Sequence, residues 1–195
     1  MPAHSAQEAD VKTASEDLDP SATEGGNSYW FFGTLATIKV SGAETGGRVS
    51  IVETLAPPRS APPLHVHRVD DEIFCVLEGE LTLHFGQRAI ALATGDVALA
   101  PRGVPHVYVV GPRRPARIVT ASAPATFDGL VAAFGEPAPE PTLPPPPEEP
   151  PDLEGIAERM NEFGIEILGP PGTLPGQFAG QRERPDTSAR APAAS

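Results

Sequence analysis

The chain has 195 residues, with 14 Lys and Arg against 26 Asp and Glu, for a formal charge of −12. That balance repels phosphate backbones and anionic membrane surfaces, which sets nucleic acid and membranes aside as partners. The single cysteine, Cys75, excludes a disulfide framework and a thiolate zinc site, and no apolar run approaches the roughly 18 residues of a membrane span.

Residues 1–28 are acidic, contain no apolar run and lack the basic start of a signal peptide. They read as a disordered tail on a cytoplasmic protein, because too little apolar surface is present to offset the entropy of ordering. The pattern changes at Tyr29. From there to about residue 125, short β-rich runs are separated by Gly and Pro at the spacing of an all-β sandwich or barrel. Strands are expected over 29–40, 48–55, 64–68, 72–77, 80–85, 88–93, 96–100, 106–110 and 117–122. Leu81, Leu83 and Phe85 alternate with Thr82 and His84, as a half-buried strand requires. Gly79 and Gly86 fall between runs, where hairpin turns need positive φ. A short helix is expected over 126–135, with Thr126 as its cap and Gly135 as its stop, completing a barrel domain at 29–135. Residues 136–151 alternate proline with acid, a composition that cannot pair in a sheet and predicts a stiff extended spacer. In the segment 152–171, Asp152 caps a helix whose Leu153, Ile156, Met160 and Phe163 share one face, and a short apolar run, 165–168, follows. This is either an arm packed on the core or on a neighbouring subunit, or a loosely held surface helix. Residues 172–195 read as a flexible end.

One cluster carries chemistry. His65 and His67 stand two apart on an expected strand, so both imidazoles face one side while Val66 faces the other. Glu72 follows after a turn containing Asp70 and Asp71, and His106 comes much later in the chain. Scattered histidines in a β domain are more often hydrogen-bonded surface groups than ligands. Three of them with one carboxylate at coordinated spacings instead suit a divalent first-row transition metal, with Ni, Co, Mn and Fe all compatible. Such a site leaves a position open for substrate or dioxygen.

His65, His67, Glu72 and Gly79, followed by Gly95, Pro101, Gly103 and His106, resemble the two cupin motifs. The resemblance implies a double-stranded β-helix, or jelly-roll barrel, with the metal held inside its mouth by His65, His67, Glu72 and His106. Asp71 rivals Glu72 as the acidic ligand, but the six-residue gap to Gly79 fits only from Glu72. Two positions depart from the pattern: Arg59 stands where the first motif usually opens with Gly, and Val110 where Asn is expected. Residues 29–35, 45–47, 76–80 and 163–171 are more closely similar to actinobacterial single-domain cupins of the quercetin 2,3-dioxygenase type. That similarity implies a homodimer acting on a flavonol-like small molecule with dioxygen, and it places on Glu72 the removal of a proton from the substrate hydroxyl.

Phe74 and Tyr108 lie two residues from Glu72 and His106 and are expected to face inward with them, as pocket walls or as barrel filling; Val76 continues the row as filling. Trp30 and Phe32 share one face of the first expected strand, Tyr29 and Phe31 the other, and one pair lines the pocket. Cys75 reads as an outward-packed thiol, His84 as exposed, and Arg102 as solvated surface beside the barrel mouth. Three functions compete: a metal-dependent dioxygenase, a metal-assisted cyclase, isomerase or decarboxylase on a polyketide-like molecule, and a non-catalytic ligand-binding barrel.

Overall fold

The computed structural model describes residues 27–146 and 153–182. The expected acidic tail up to residue 26, the cap at Asp152 and the end beyond residue 182 lie outside the described residues. The strands are β1 (Ser28–Phe31), β2 (Thr34–Val40), β3 (Ser50–Ala56), β4 (Pro63–His67), β5 (Asp71–Glu78), β6 (Glu80–Phe85), β7 (Arg88–Ala93), β8 (Val97–Ala100), β9 (His106–Val110), β10 (Ala116–Ala123), β11 (Glu136–Pro137) and β12 (Ile165–Pro171). Four helices accompany them: α1 (Gly42–Thr45), α2 (Phe127–Phe134), α3 (Leu153–Glu162) and α4 (Pro175–Arg182). All strand pairs are antiparallel and form two sheets, β11-β1-β2-β3-β10-β5-β8 and β12-β4-β9-β6-β7. This is the expected jelly roll. No helix among the described residues is long and apolar enough to cross a membrane.

The strands form because their side chains alternate between wet and dry faces. β3 and β10 alternate buried and half-buried residues along nearly their whole length, and in β5 buried Glu72, Phe74 and Val76 alternate with more exposed neighbours. Two apolar clusters result. One gathers Phe74, Val76, Leu81, Leu83, Val110 and Ile118 between the sheets. The other gathers Phe31, Ile38, Val52 and Leu130 with Met160 and Ile165 from the C-terminal segment.

Several expectations are corrected. The run 29–40 is two strands, because Phe32 and Gly33 both take positive φ, 47° and 79°, and make a tight turn that pairs Phe31 with Thr34. Trp30 and Phe32 therefore do not share a strand face. Glu136–Pro137, expected to stay unpaired, bonds to β1 as an outermost strand, a place where proline's missing N–H leaves no ladder bond unmade. Thr126 occupies the cap position of α2 but makes no capping hydrogen bond; the Oγ of Ser122 accepts from the backbone N–H groups of Thr126 and Phe127 instead, at 3.4 and 3.2 Å. The run 165–168 extends to Pro171 and is a full strand beside β4, so the C-terminal segment packs on its own core. Part of the expected flexible end, 175–182, is helical.

Both departures from the motif pattern have a local reason. Arg59 keeps the left-handed turn at φ 64° without the glycine that such a turn favours. Val110 is buried in the inter-sheet cluster, with its N–H donating to Ser60 O at 2.9 Å. Gly79 is required on two grounds: φ is +85°, and an added Cβ would stand 2.6 Å from Pro115 O.

Candidate metal centre

β4 lies between β12 and β9, and its His65 stands directly opposite His106 of β9. Glu72 reaches the same space from β5 in the other sheet. The short β4–β5 connection is held from two sides, by Arg68 N–H donating to Gly164 O at 2.8 Å and Gly103 N–H donating to His67 O at 2.7 Å. The result brings one donor atom from each of His65, His67, Glu72 and His106 within 4.8 Å of one another.

The orientation of the imidazoles is fixed from behind. His65 Nδ1 faces Pro63 O at 2.8 Å and His106 Nδ1 faces Val104 O at 3.0 Å, so both rings donate Nδ1–H outward and keep Nε2 as the free nitrogen. His67 Nδ1 faces both carboxylate oxygens of Asp70, at 3.0 and 2.9 Å. Inside, Glu72 Oε2 lies 3.1 Å from His106 Nε2 and 3.3 Å from His67 Nε2. A carboxylate oxygen and an imidazole lone pair repel unless a cation stands between them. The four residues could therefore hold a divalent metal ion, and the donor set of three nitrogens and one oxygen suits a first-row one.

Electrostatics follow the same geometry. Burial, reinforced by the charges of His106 and His67, pulls His65 down to about 3, so it stays neutral. Burial also works against a charge on His67, but the carboxylates of Glu72 and Asp70 outweigh it and raise its affinity for a proton. Burial would raise Glu72, yet the surrounding histidines, His67 foremost, bring it down to about 2. Tyr108 is held protonated, by burial first and then by the Glu72 charge.

Above the cluster opens a cavity of about 860 Å³, within the range of small-molecule sites. Phe74 and Tyr108 line it, 6.0 Å apart edge-to-face, and Phe74 also meets the His106 ring at 6.2 Å. Trp30 and Phe32 both border it after all, from a strand and from the adjoining turn. Trp30 donates Nε1–H to Thr142 O at 2.9 Å, while Phe32 is 44% exposed. Phe31, placed by the alternation argument on the opposite face, lines it too. Val76 is barrel filling. Asp71 and Arg102 stay outside, joined to each other at 2.8 Å on the surface. Cys75 and His84 are not brought to the cluster.

Sequence reasoning missed the opposite wall. Ile156, Met160, Ile165 and Ile167 from α3 and β12 close one side of the cavity, and Thr54 and Thr120 add two hydroxyl-bearing side chains to its lining. It also passed over Asp70, whose spacing from His67 was the one available signal.

Residues 51–122 match the family model described as a cupin domain. A curated relative, the quercetin 2,3-dioxygenase of Bacillus subtilis strain 168, is 32% identical over 143 residues. The match covers 73% of this chain but only 42% of the relative, so the chain spans about two-fifths of that protein's length. Among solved structures, a protein from Thermus thermophilus is 32% identical with a TM-score of 0.39, over 40% of this chain and 74% of its own. The polyketide cyclase RemF of Streptomyces resistomycificus is 22% identical with a TM-score of 0.46, over 54% and 79%.

Proposed function

The chain belongs to the cupins through residues 51–122, and from that premise we propose that it is a metal-dependent dioxygenase acting on a small planar aromatic or enolised substrate, a flavonol being the first to test. The observation that carries this reading is the convergence of four donor atoms within 4.8 Å at the floor of an aromatic-lined cavity of about 860 Å³. In this reading His65, His67, Glu72 and His106 hold a divalent metal ion, which supplies a Lewis acid that acidifies a substrate hydroxyl and a position at which dioxygen can react. Glu72, ionised throughout the neutral range, accepts the hydroxyl proton. Tyr108, held protonated, donates a hydrogen bond to a substrate oxygen. Phe74 and Trp30 hold the flat ring system and exclude water.

The test is metal analysis of the purified chain followed by an oxygen electrode with a flavonol panel. Glu72→Gln keeps the shape and one coordinating oxygen but cannot take the proton. It is expected to retain much of its metal and lose nearly all turnover per metal. A rate per metal near wild type would leave Glu72 as a ligand alone. Turnover without oxygen uptake would assign the cyclase, isomerase or decarboxylase class instead, and metal binding without turnover on any panel member would assign a binding barrel.

The same proposal includes a homodimer, now for a different reason. The C-terminal segment is covered by its own core, whereas Ile73 and Leu77 on β5 and Val97 and Leu99 on β8 are 40–60% exposed on one outer face. β8 is a sheet edge without a charged residue, so a second β8 running antiparallel continues the sheet, pairs its open backbone groups and sets the two apolar outer faces side by side. Val97→Glu is expected to turn a dimer of the 20.4 kDa chain into a monomer in light scattering; a wild-type monomer removes the idea.

A further inference from the structure

The three imidazoles of the cluster are not held alike. His65 and His106 rest on neutral backbone carbonyls, whereas His67 rests on both oxygens of the Asp70 carboxylate. Asp70 is 0% exposed and His67 2%, and among the described residues Asp70's carboxylate has no other hydrogen-bond partner. A buried carboxylate whose whole hydrogen-bonding capacity is aimed at one imidazole has two physical effects. It fixes the ring with Nε2 inward, and it pushes electron density toward that nitrogen, making it a stronger donor.

Charge gives the second half of the argument. The cluster and its immediate surroundings contain two buried carboxylates, Glu72 among the donors and Asp70 behind His67, against three imidazoles. With the imidazoles neutral, the two carboxylates match a divalent cation and leave no net charge to bury. Asp71 and Arg102 neutralise each other at the surface and leave that sum unchanged. With Asp70 neutral, the loaded site would bury an uncompensated positive charge.

We propose that Asp70 is a positioning residue for the metal centre, which orients His67, strengthens it as a donor and balances the charge of a bound divalent cation. The proposal rests on the metal-binding reading given above. It also distinguishes adjacent acids: Asp70 acts through His67, Glu72 acts directly, and Asp71 has no part.

Co²⁺ is the probe, added to the metal-free full-length chain, with its dissociation constant read by competition against a chelator and its visible absorption spectrum recorded. Asp70→Asn is the decisive variant, because it keeps the shape and an accepting oxygen but removes the charge. It is expected to weaken Co²⁺ binding by about 10-fold or more and to shift the spectrum, with Asp70→Ala at the upper end of the roughly 10–100-fold range for outer partners of metal ligands. Asp71→Asn is expected to bind as wild type. A merely structural Asp70 would change the melting temperature of the metal-free protein and leave both the dissociation constant and the spectrum in place, and that result in Asp70→Asn overturns the proposal. Should Asp70→Ala fail to fold, Asp70→Asn and Asp71→Asn still decide. His106→Ala separates the two levels. If it binds Co²⁺ as tightly as wild type, the metal-centre reading itself falls; if it loses Co²⁺ while Asp70→Asn does not, only the role of Asp70 falls.

Discussion

The cavity lies between two apolar clusters that are built in different ways. The cluster around Phe74, Leu83 and Ile118 joins strands of the two sheets to each other, and its buried members carry no titratable group. The cluster around Phe31, Leu130, Met160 and Ile165 instead joins the first strands of the barrel to α2 and to the far C-terminal segment. The first holds the sheets together. The second supplies a cavity wall and, through β12, flanks the strand that carries His65 and His67. Both units touch the cavity, the first through Phe74 and Ile118, but only the second flanks the strand of His65 and His67, so a mutation in the first placed away from the lining can disturb stability with little effect on the site.

The largest expected effect comes from the inter-sheet cluster. Leu83 is fully buried, and Leu83→Ala is expected to lower unfolding stability by about 3–5 kcal/mol in urea titration, through lost transfer energy and the void left behind. Molecules still folded should bind Co²⁺ normally. Ile165→Ala sharpens the contrast. It is expected to cost about 2–4 kcal/mol and, unlike Leu83→Ala, to weaken Co²⁺ binding as well, because Ile165 pairs with His67 across β12 and β4. Equal Co²⁺ affinity in the two variants would dissolve the distinction.

Next in size is the acid response of the metal-free protein. His65 is neutral in the fold down to about 3, while an unfolded histidine binds a proton near 6.5. The unfolded state thus takes up more protons across that window, and stability falls as pH drops through it. Glu72, at about 2 in the fold against 4.5 unfolded, adds to the loss below pH 4.5. His67 runs the other way: its raised value gives stability that is full below about 6.5 and is lost as pH rises through the folded value. Denaturant midpoints measured from about pH 6.5 to about pH 4 are expected to fall steadily. His65→Ala should flatten the upper part of that slope, whereas Leu83→Ala should shift the whole curve without changing its shape. The smallest effect is expected at Arg59→Gly, which relieves a left-handed φ of 64° and should raise stability by up to about 1 kcal/mol, seen as a small upward shift in melting temperature. No change, or a loss, would mean the arginine side chain contributes more than the strain it carries.

Much of the inter-sheet region was legible in the sequence, because alternation such as Leu81, Leu83, Phe85 is a local property of a strand with one buried face. The donor set was legible for the same reason: His65 and His67 share a strand face, and the motif spacing singled out Glu72 and His106. The second region resisted reading. Phe32 turns the chain at positive φ, a conformation that only the neighbouring Gly33 advertises. β12 ends in Gly169, Pro170 and Pro171, residues that signal a break, and its strand character comes from β4 rather than from its own composition. Glu136–Pro137 pairs only because β1 offers it an edge. Asp70 reads as an ordinary turn acid until the fold turns its carboxylate inward onto His67.

The Arg68–Glu166 ion pair, 98 residues apart in the chain, ties the end of β4 to β12 through the residue that follows it. Synthesis proceeds from the N-terminus at roughly 5–20 residues per second, so β4 emerges about 5–20 s before the strand that flanks it. During that interval the strand bearing His65 and His67 has a free edge of unpaired amides and carbonyls, available to a neighbouring nascent chain. The order of translation therefore leaves the strand that carries His65 and His67 open to mispairing until β12 arrives.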